Sequence, residues 1–177
     1  EAVSPAALVA SKPIEVIGHN PNSSEPTPPK LTDDKWTRFD PASDFALVKS
    51  GVTEKAGAFT IAGGQGRRLR TNWTHEDIAV RARITVPKDG VGFIGLRGDY
   101  QKNGVRAVVR PSGIVIEREI FDGGTERAEV LKEFAGVSSP FFEAKGAVLT
   151  FATEGEDLNV WVDGKRLGAV TEPLPVY

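Results

Sequence analysis

Ile78, Val80, Ala82, Ile84 and Val86 alternate with Ala79, Arg81, Arg83 and Thr85. A period of two sends the first set to one face of an extended chain and the second to the other. The stretch is therefore a strand with one face buried. Further short apolar runs follow at 92–98, 105–110, 114–121, 129–134, 147–153, 158–162 and 166–170, and weaker ones precede at 45–49, 58–61 and 68–70. The breaks between them carry turn chemistry. Asp163-Gly164 is a two-residue hairpin signal, and Pro111-Ser112-Gly113, Asp122-Gly123-Gly124 and Glu154-Gly155-Glu156 are looser ones. No segment carries a helical apolar stripe over three turns. Many short strands with regular turns predict an all-β chain folded as an antiparallel β-sandwich of jelly-roll type.

Residues 1–30 differ in composition. Asn20-Pro21-Asn22-Ser23-Ser24-Glu25-Pro26-Thr27-Pro28-Pro29 is too polar and proline-rich to bury a core, and it favours extended chain. The expected organisation is a linker at 1–30, covalently joined to an upstream domain, and a sandwich at 31–177. Ile14-Glu15-Val16-Ile17 is the exception within the linker, and reads as an edge strand. The chain lacks methionine even at position 1, so it is expected to be a processed product or a piece of something longer.

Composition excludes several chemistries. With no cysteine there is no disulfide framework, thiolate nucleophile or thiolate zinc site. Two histidines, His19 and His75, rule out a His-rich metal site. His75 stands beside Glu76 and Asp77, but neighbours at a strand entry point apart and make no acid–base pair. The net charge of −2, with no stacking aromatics between the arginines, argues against nucleic acid as a partner. No apolar run approaches the roughly 20 residues that span a bilayer.

The series Gly92-Phe93-Ile94-Gly95-Leu96-Arg97-Gly98-Asp99, then 105–110, Gly113-Ile114-Val115-Ile116-Glu117-Arg118 and Leu158-Asn159-Val160-Trp161-Val162-Asp163-Gly164-Lys165 resembles the concanavalin A-like lectin/glucanase superfamily. Within it the likeness is to laminin-G-like modules and to the bacterial domain linked to 3-keto-disaccharide hydrolysis. The resemblance spans Trp36 to Tyr177. It implies a closing strand after the Val-Asp-Gly-Lys hairpin, about where Pro175-Val176-Tyr177 ends the sequence. It also implies a tethered extracytoplasmic setting, whether periplasmic, cell-surface or secreted. Laminin-G modules hold calcium through loop Asp and Asn oxygens, which makes Asp99 a weak calcium candidate; a turn-forming Asp-Asn-Gly cluster is the stronger reading there. The Glu-x-Asp-x-x-Glu spacing of laminarinase-type members is absent from every strand.

Glu117 and Glu119 lie two apart on a strand, about 7 Å from each other on one face. Such a separation suits glycosidase carboxylates. If Pro111-Ser112-Gly113 closes a hairpin, however, Arg106 and Arg110 face them, and ordinary ion pairs on a solvated face are the preferred reading. Arg81, Arg83, Arg97, Arg106 and Arg110 all fall opposite apolar faces and would form an arginine-rich surface if their strands shared a sheet. Phe93, on a face with Arg97, and Trp161, on a face with Asn159, are candidate sugar platforms. Trp73 and Tyr100, in loops, are further platform candidates. The ligand-binding candidates are Phe93, Arg97, Asp99, Tyr100, Arg110, Glu117 and Trp161, with no catalytic or metal residue. The expected function is a non-catalytic carbohydrate-binding or adhesion-type module with a glycan or small saccharide as partner. The alternatives are a 3-keto-disaccharide-type glycoside hydrolase and a structural or sensory domain of a signalling protein.

Overall fold

In a computed structural model of the chain, residues 78–98 and 104–172 are described throughout, and outside them only short strand segments. The first strands are β1 (Ala7–Ala10), β2 (Glu15–Gly18), β3 (Thr37–Arg38), β4 (Phe45–Ala46), β5 (Val52–Lys55), β6 (Ala58–Ala62) and β7 (Arg70–Thr71). Then come β8 (Ile78–Thr85), β9 (Gly92–Leu96), β10 (Gly104–Arg110), β11 (Gly113–Asp122) and β12 (Thr125–Ala135). A 3₁₀ turn at Ser139–Phe142 precedes β13 (Ala147–Glu154), β14 (Asp157–Val162) and β15 (Lys165–Thr171). No α-helix occurs among the described residues.

The larger sheet runs β15-β14-β13-β8-β1-β6-β5, with β2 also on β8 and β3 on β2. The smaller runs β12-β11-β10-β9, and β4 pairs with β7. Every pairing is antiparallel, and the two main sheets form a β-sandwich. Two strands of the larger sheet come from the stretch read as linker. β1 pairs with β6 and with the end of β8, and β2 pairs with the start of β8. Backbone pairing thus takes Ala7–Ala10 and Glu15–Gly18 into the sheet, so the proline-rich stretch falls between paired strands in the sequence. The segment read as an edge strand is paired on both sides, with β3 and β8.

Alternation decides the layering. Ile78, Val80, Ala82, Ile84 and Val86 are buried and meet Ile94, Leu96, Val105, Ala107, Val109, Ile114 and Ile116 from the smaller sheet. Leu149, Phe151, Leu158 and Val160 complete this layer. Its apolar burial is the main driving force of the fold. The same parity sends Arg81 and Arg83 to the outside of the larger sheet, and Arg106 and Arg110 to the outside of the smaller. The expected single arginine-rich surface is therefore split between opposite exteriors.

The turns behave as their residues demand. Asp163 and Gly164 take φ of 47° and 79°, and Gly123 and Gly124 take 55° and 88°, the left-handed pairs of two-residue hairpin loops. Asp163 also grips β13: its N–H donates to the Val148 carbonyl at 2.8 Å and its Oδ1 accepts from the Val148 N–H at 2.9 Å. At one end of the sandwich Phe141 is fully buried, and its carbonyl accepts from the Val86 N–H at 2.8 Å. At the other end Arg118 of β11 pairs with Glu172, just past β15, and joins the two sheets.

Phe151→Ala should cost about 3–5 kcal/mol, the range for removing a buried aromatic, while Val91→Ala, at an exposed site, should stay within about 0.5 kcal/mol in the same denaturant titration. Gly146 has φ of +60°, and a Cβ there would lie 2.3 Å from the Ile84 carbonyl oxygen. Gly146→Ala should therefore lower stability by about 1–3 kcal/mol, read as a shift of the denaturation midpoint at unchanged slope.

Candidate functional site

The outer face of the smaller sheet carries a compact charged cluster, set by strand register. Arg106 of β10 is the Cα partner of Glu117 of β11, and Gly104 is the partner of Glu119. On the other side of β10, Gly95 partners Arg106 and Phe93 partners Val108. Phe93, Arg106, Val108, Arg110, Val115, Glu117 and Glu119 therefore share the side of the smaller sheet turned away from the layer between the sheets, where Phe93, Arg106 and Arg110 are half-buried and the other four are buried. Pro111 and Ser112 close the β10–β11 hairpin and bring Arg110 within reach of Glu117.

The bonding pattern is specific. Arg106 Nε donates to one oxygen of Glu117, and Arg110 donates through a terminal nitrogen to the other at 2.5 Å. A terminal nitrogen of Arg106 reaches Glu119 Oε1 at 2.6 Å. Arg106 thus bridges both carboxylates while Arg110 hangs from one. The Arg106 guanidinium carbon stands 5.6 Å from the centroid of the Phe93 ring, within cation–π range.

Burial separates the members. Glu117 is 0% exposed and Glu119 6%, so the pairs do not sit on a solvated face as the sequence led us to expect. The Arg106 side chain is 19% exposed and that of Arg110 is 38%. Carboxylates at such depth require their partners, because an unpaired buried charge costs several kcal/mol. The two guanidinium groups are consequently held by buried carboxylates. Chemically, the arrangement offers forked N–H donors beside an aromatic ring. Neither Glu117 oxygen is left over for proton transfer.

Arg97 and Trp161 lie elsewhere. β9 ends at Leu96, and Arg97 takes a left-handed φ of 53°, which breaks the alternation that would have kept it on the face of Phe93. Its guanidinium donates to the carbonyl of Gly155 in the β13–β14 hairpin. Arg97 thereby links the smaller sheet to a turn of the larger. Trp161 sits on the outer face of the larger sheet, opposite in direction to Phe93, as the partner of Thr150 and, past a bulge after Val160, of Arg166. It is half-buried, and Arg166 donates to the Asn159 amide oxygen at 2.7 Å beside it. Asp99 and Tyr100 lie outside the described residues, as do Trp36, Trp73 and His75. Among the described residues no three His, Cys, Asp or Glu side chains gather as a metal site. Of the seven candidates, the structure brings together Phe93, Arg110 and Glu117. Arg106 and Glu119, which the sequence paired as ordinary surface ions, are the members it adds.

The fold matches a known one. The carbohydrate-binding module CBM66 from Bacillus subtilis is similar to this chain at a TM-score of 0.61 and 19% sequence identity, over 75% of this chain and 81% of that one. No family model matches the sequence, and no curated protein matches it.

Arg106→Ala leaves Glu117 with one partner and removes a bridge to Glu119, and should destabilise the chain by about 3–5 kcal/mol in chemical denaturation. Replacing the acid as well, in Arg106→Ala/Glu117→Gln, should recover part of that loss. Independent pairs would instead give additive losses.

Proposed function

We propose that this chain is a non-catalytic carbohydrate-binding module that takes a saccharide on the outer face of its smaller sheet. The observation that carries the reading is the cluster itself: Arg106 and Arg110 held by buried carboxylates, with the Phe93 ring alongside. Sugars present a ring of hydroxyl oxygens around apolar C–H faces. Fixed guanidinium forks suit the first, and an aromatic face suits the second. Preorganisation matters because side chains ordered before binding lose little entropy on binding. The likeness in fold to a carbohydrate-binding module supports the same reading.

We further propose that the sandwich is of the concanavalin A-like type, which its sequence resemblance and all-β fold support, and that it belongs to a larger protein in an extracytoplasmic setting, as that resemblance implies. A hydrolytic role draws no support from Glu117, whose two oxygens are both engaged by arginines.

Isothermal titration of the full chain against an oligosaccharide panel tests the proposal. Saturable binding to one glycan class is expected. Arg110→Ala should weaken it about 10- to 100-fold, the worth of a charge-assisted hydrogen bond, and Trp161→Ala should change it less than about twofold. A folded chain that binds no glycan would point instead to a structural or sensory domain.

A further inference from the structure

We infer that β12 is a docking edge for a second copy of this chain, and that two copies join their smaller sheets into one across a two-fold axis. β12 is the last strand of its sheet and pairs with β11 alone among the described strands. Its other edge presents backbone N–H and C=O groups that no strand of the chain takes up. Nine of its 11 residues are exposed, and Val130 is one of two large apolar side chains so exposed among the described residues. An edge of this length is commonly guarded by charge or by a bulge. β12 has both, and both are placed so that they select one partner strand.

The bulge sets the limit. Glu117 stands opposite Val130 and Ile116 opposite Lys132, so Leu131 is the extra residue on β12. Side-chain parity holds from Thr125 to Val130 and inverts beyond it. An added strand keeps in step only with 125–130. Along that stretch Arg127 and Glu129 share one side of the sheet, and Glu126, Ala128 and Val130 the other. Two copies related by a two-fold axis pair antiparallel, each residue facing one equidistant from the axis. With the axis at Ala128, Arg127 faces Glu129 of the second copy, and Glu129 faces its Arg127. Two cross-strand ion pairs result. Ala128 meets its own copy, and Val130 lies opposite Glu126 and diagonal to Ala128. An axis at Arg127 or at Glu129 would set like charges face to face. Both partners of the pair are available. Arg127 makes no ion pair among the described residues. Glu129 stands 3.9 Å from Arg118, which is also paired with Glu172, and its side chain is 58% exposed. An axis normal to the sheet preserves its two sides. The Phe93 sides of both copies therefore turn the same way, with their β10 strands about 24 Å apart across the joined sheet. A polymeric ligand on that side meets two copies at once.

A short strand pairing buries less than the roughly 1,200 Å² of stable complexes, so the association is weak and is sought at high concentration. The test is sedimentation equilibrium of the full chain, without glycan, from about 10 µM to about 1 mM protein. At about 50 mM salt a monomer–dimer equilibrium is expected, weakened at least about threefold at about 500 mM salt. Arg127→Glu and Glu129→Arg, each shown to be folded, should each lose at least about tenfold in self-association, because each then sets like charges face to face. An equimolar mixture of the two should regain it, since every facing pair in the mixed dimer is again of opposite sign. Independently of either variant, amide NMR signals of 125–130 should move on dilution of the unaltered chain while those of β9 stay still. A chain that remains monomeric at about 1 mM, a dimer that Arg127→Glu leaves as strong as before, or folded variants that do not associate on mixing would overturn the inference. None of these results bears on glycan binding, which the calorimetric titration reads separately.

Discussion

Ile84, Ala107, Val109, Ile114, Ile116, Leu149 and Phe151 meet in a dry layer between two sheets, and a period of two then dictates where every intervening side chain points. Once Ala107 and Ile116 point inward, Arg106 and Glu117 must point outward, on adjacent strands and directly opposite each other. The site is therefore a by-product of how the core is filled. A one-residue slip of β10 against β11 would put two arginines into the hydrophobic layer. The core fixes the register, and the register assembles the cluster.

The cluster in turn is governed by burial. An ion pair on open surface contributes little and holds its side chains loosely. Here Glu117 is wholly buried, so its two arginines are held by the cost of leaving it unpaired. Such a pair is weak evidence for stability, because an apolar pair of equal volume could do as well. Its contribution is orientation. Two long, flexible side chains acquire fixed planes beside Phe93, and a binding face needs that more than it needs extra stability. Arg97 and Arg118 use the same chemistry for another end, joining the two sheets through Gly155 and Glu172.

Much of this was legible in the sequence, and the reasons are local. The strands from Ile78 onward followed from alternation, and the Asp163-Gly164 hairpin from its turn residues. The facing of Arg106 and Arg110 with Glu117 and Glu119 followed from the Pro111-Ser112 turn. The failures were long-range. Alternation within β8 and β10 says which residues share a face, but not that the two strands belong to different sheets. Arg81 and Arg106 therefore looked like neighbours when they are on opposite exteriors. Period two also carried Phe93 on to Arg97, because nothing local marks Arg97 as left-handed. The pairing of Ala7–Ala10 rests on β6 and β8, far away in sequence, and four consecutive small or apolar residues carry no alternation that would announce a strand. The depth of Glu117 was equally hidden, since parity gives direction and not exposure.

The most direct test of the account is a titration of the isotope-labelled chain with a bound oligosaccharide, read from amide and arginine side-chain NMR signals. Shifts are expected to be confined to β9, β10 and β11, largest at the side-chain N–H signals of Arg106 and Arg110, with Trp161 unmoved. Shifts centred on Trp161, Asn159 and Arg166 while Arg110 stays still would place recognition on the opposite sheet and contradict it.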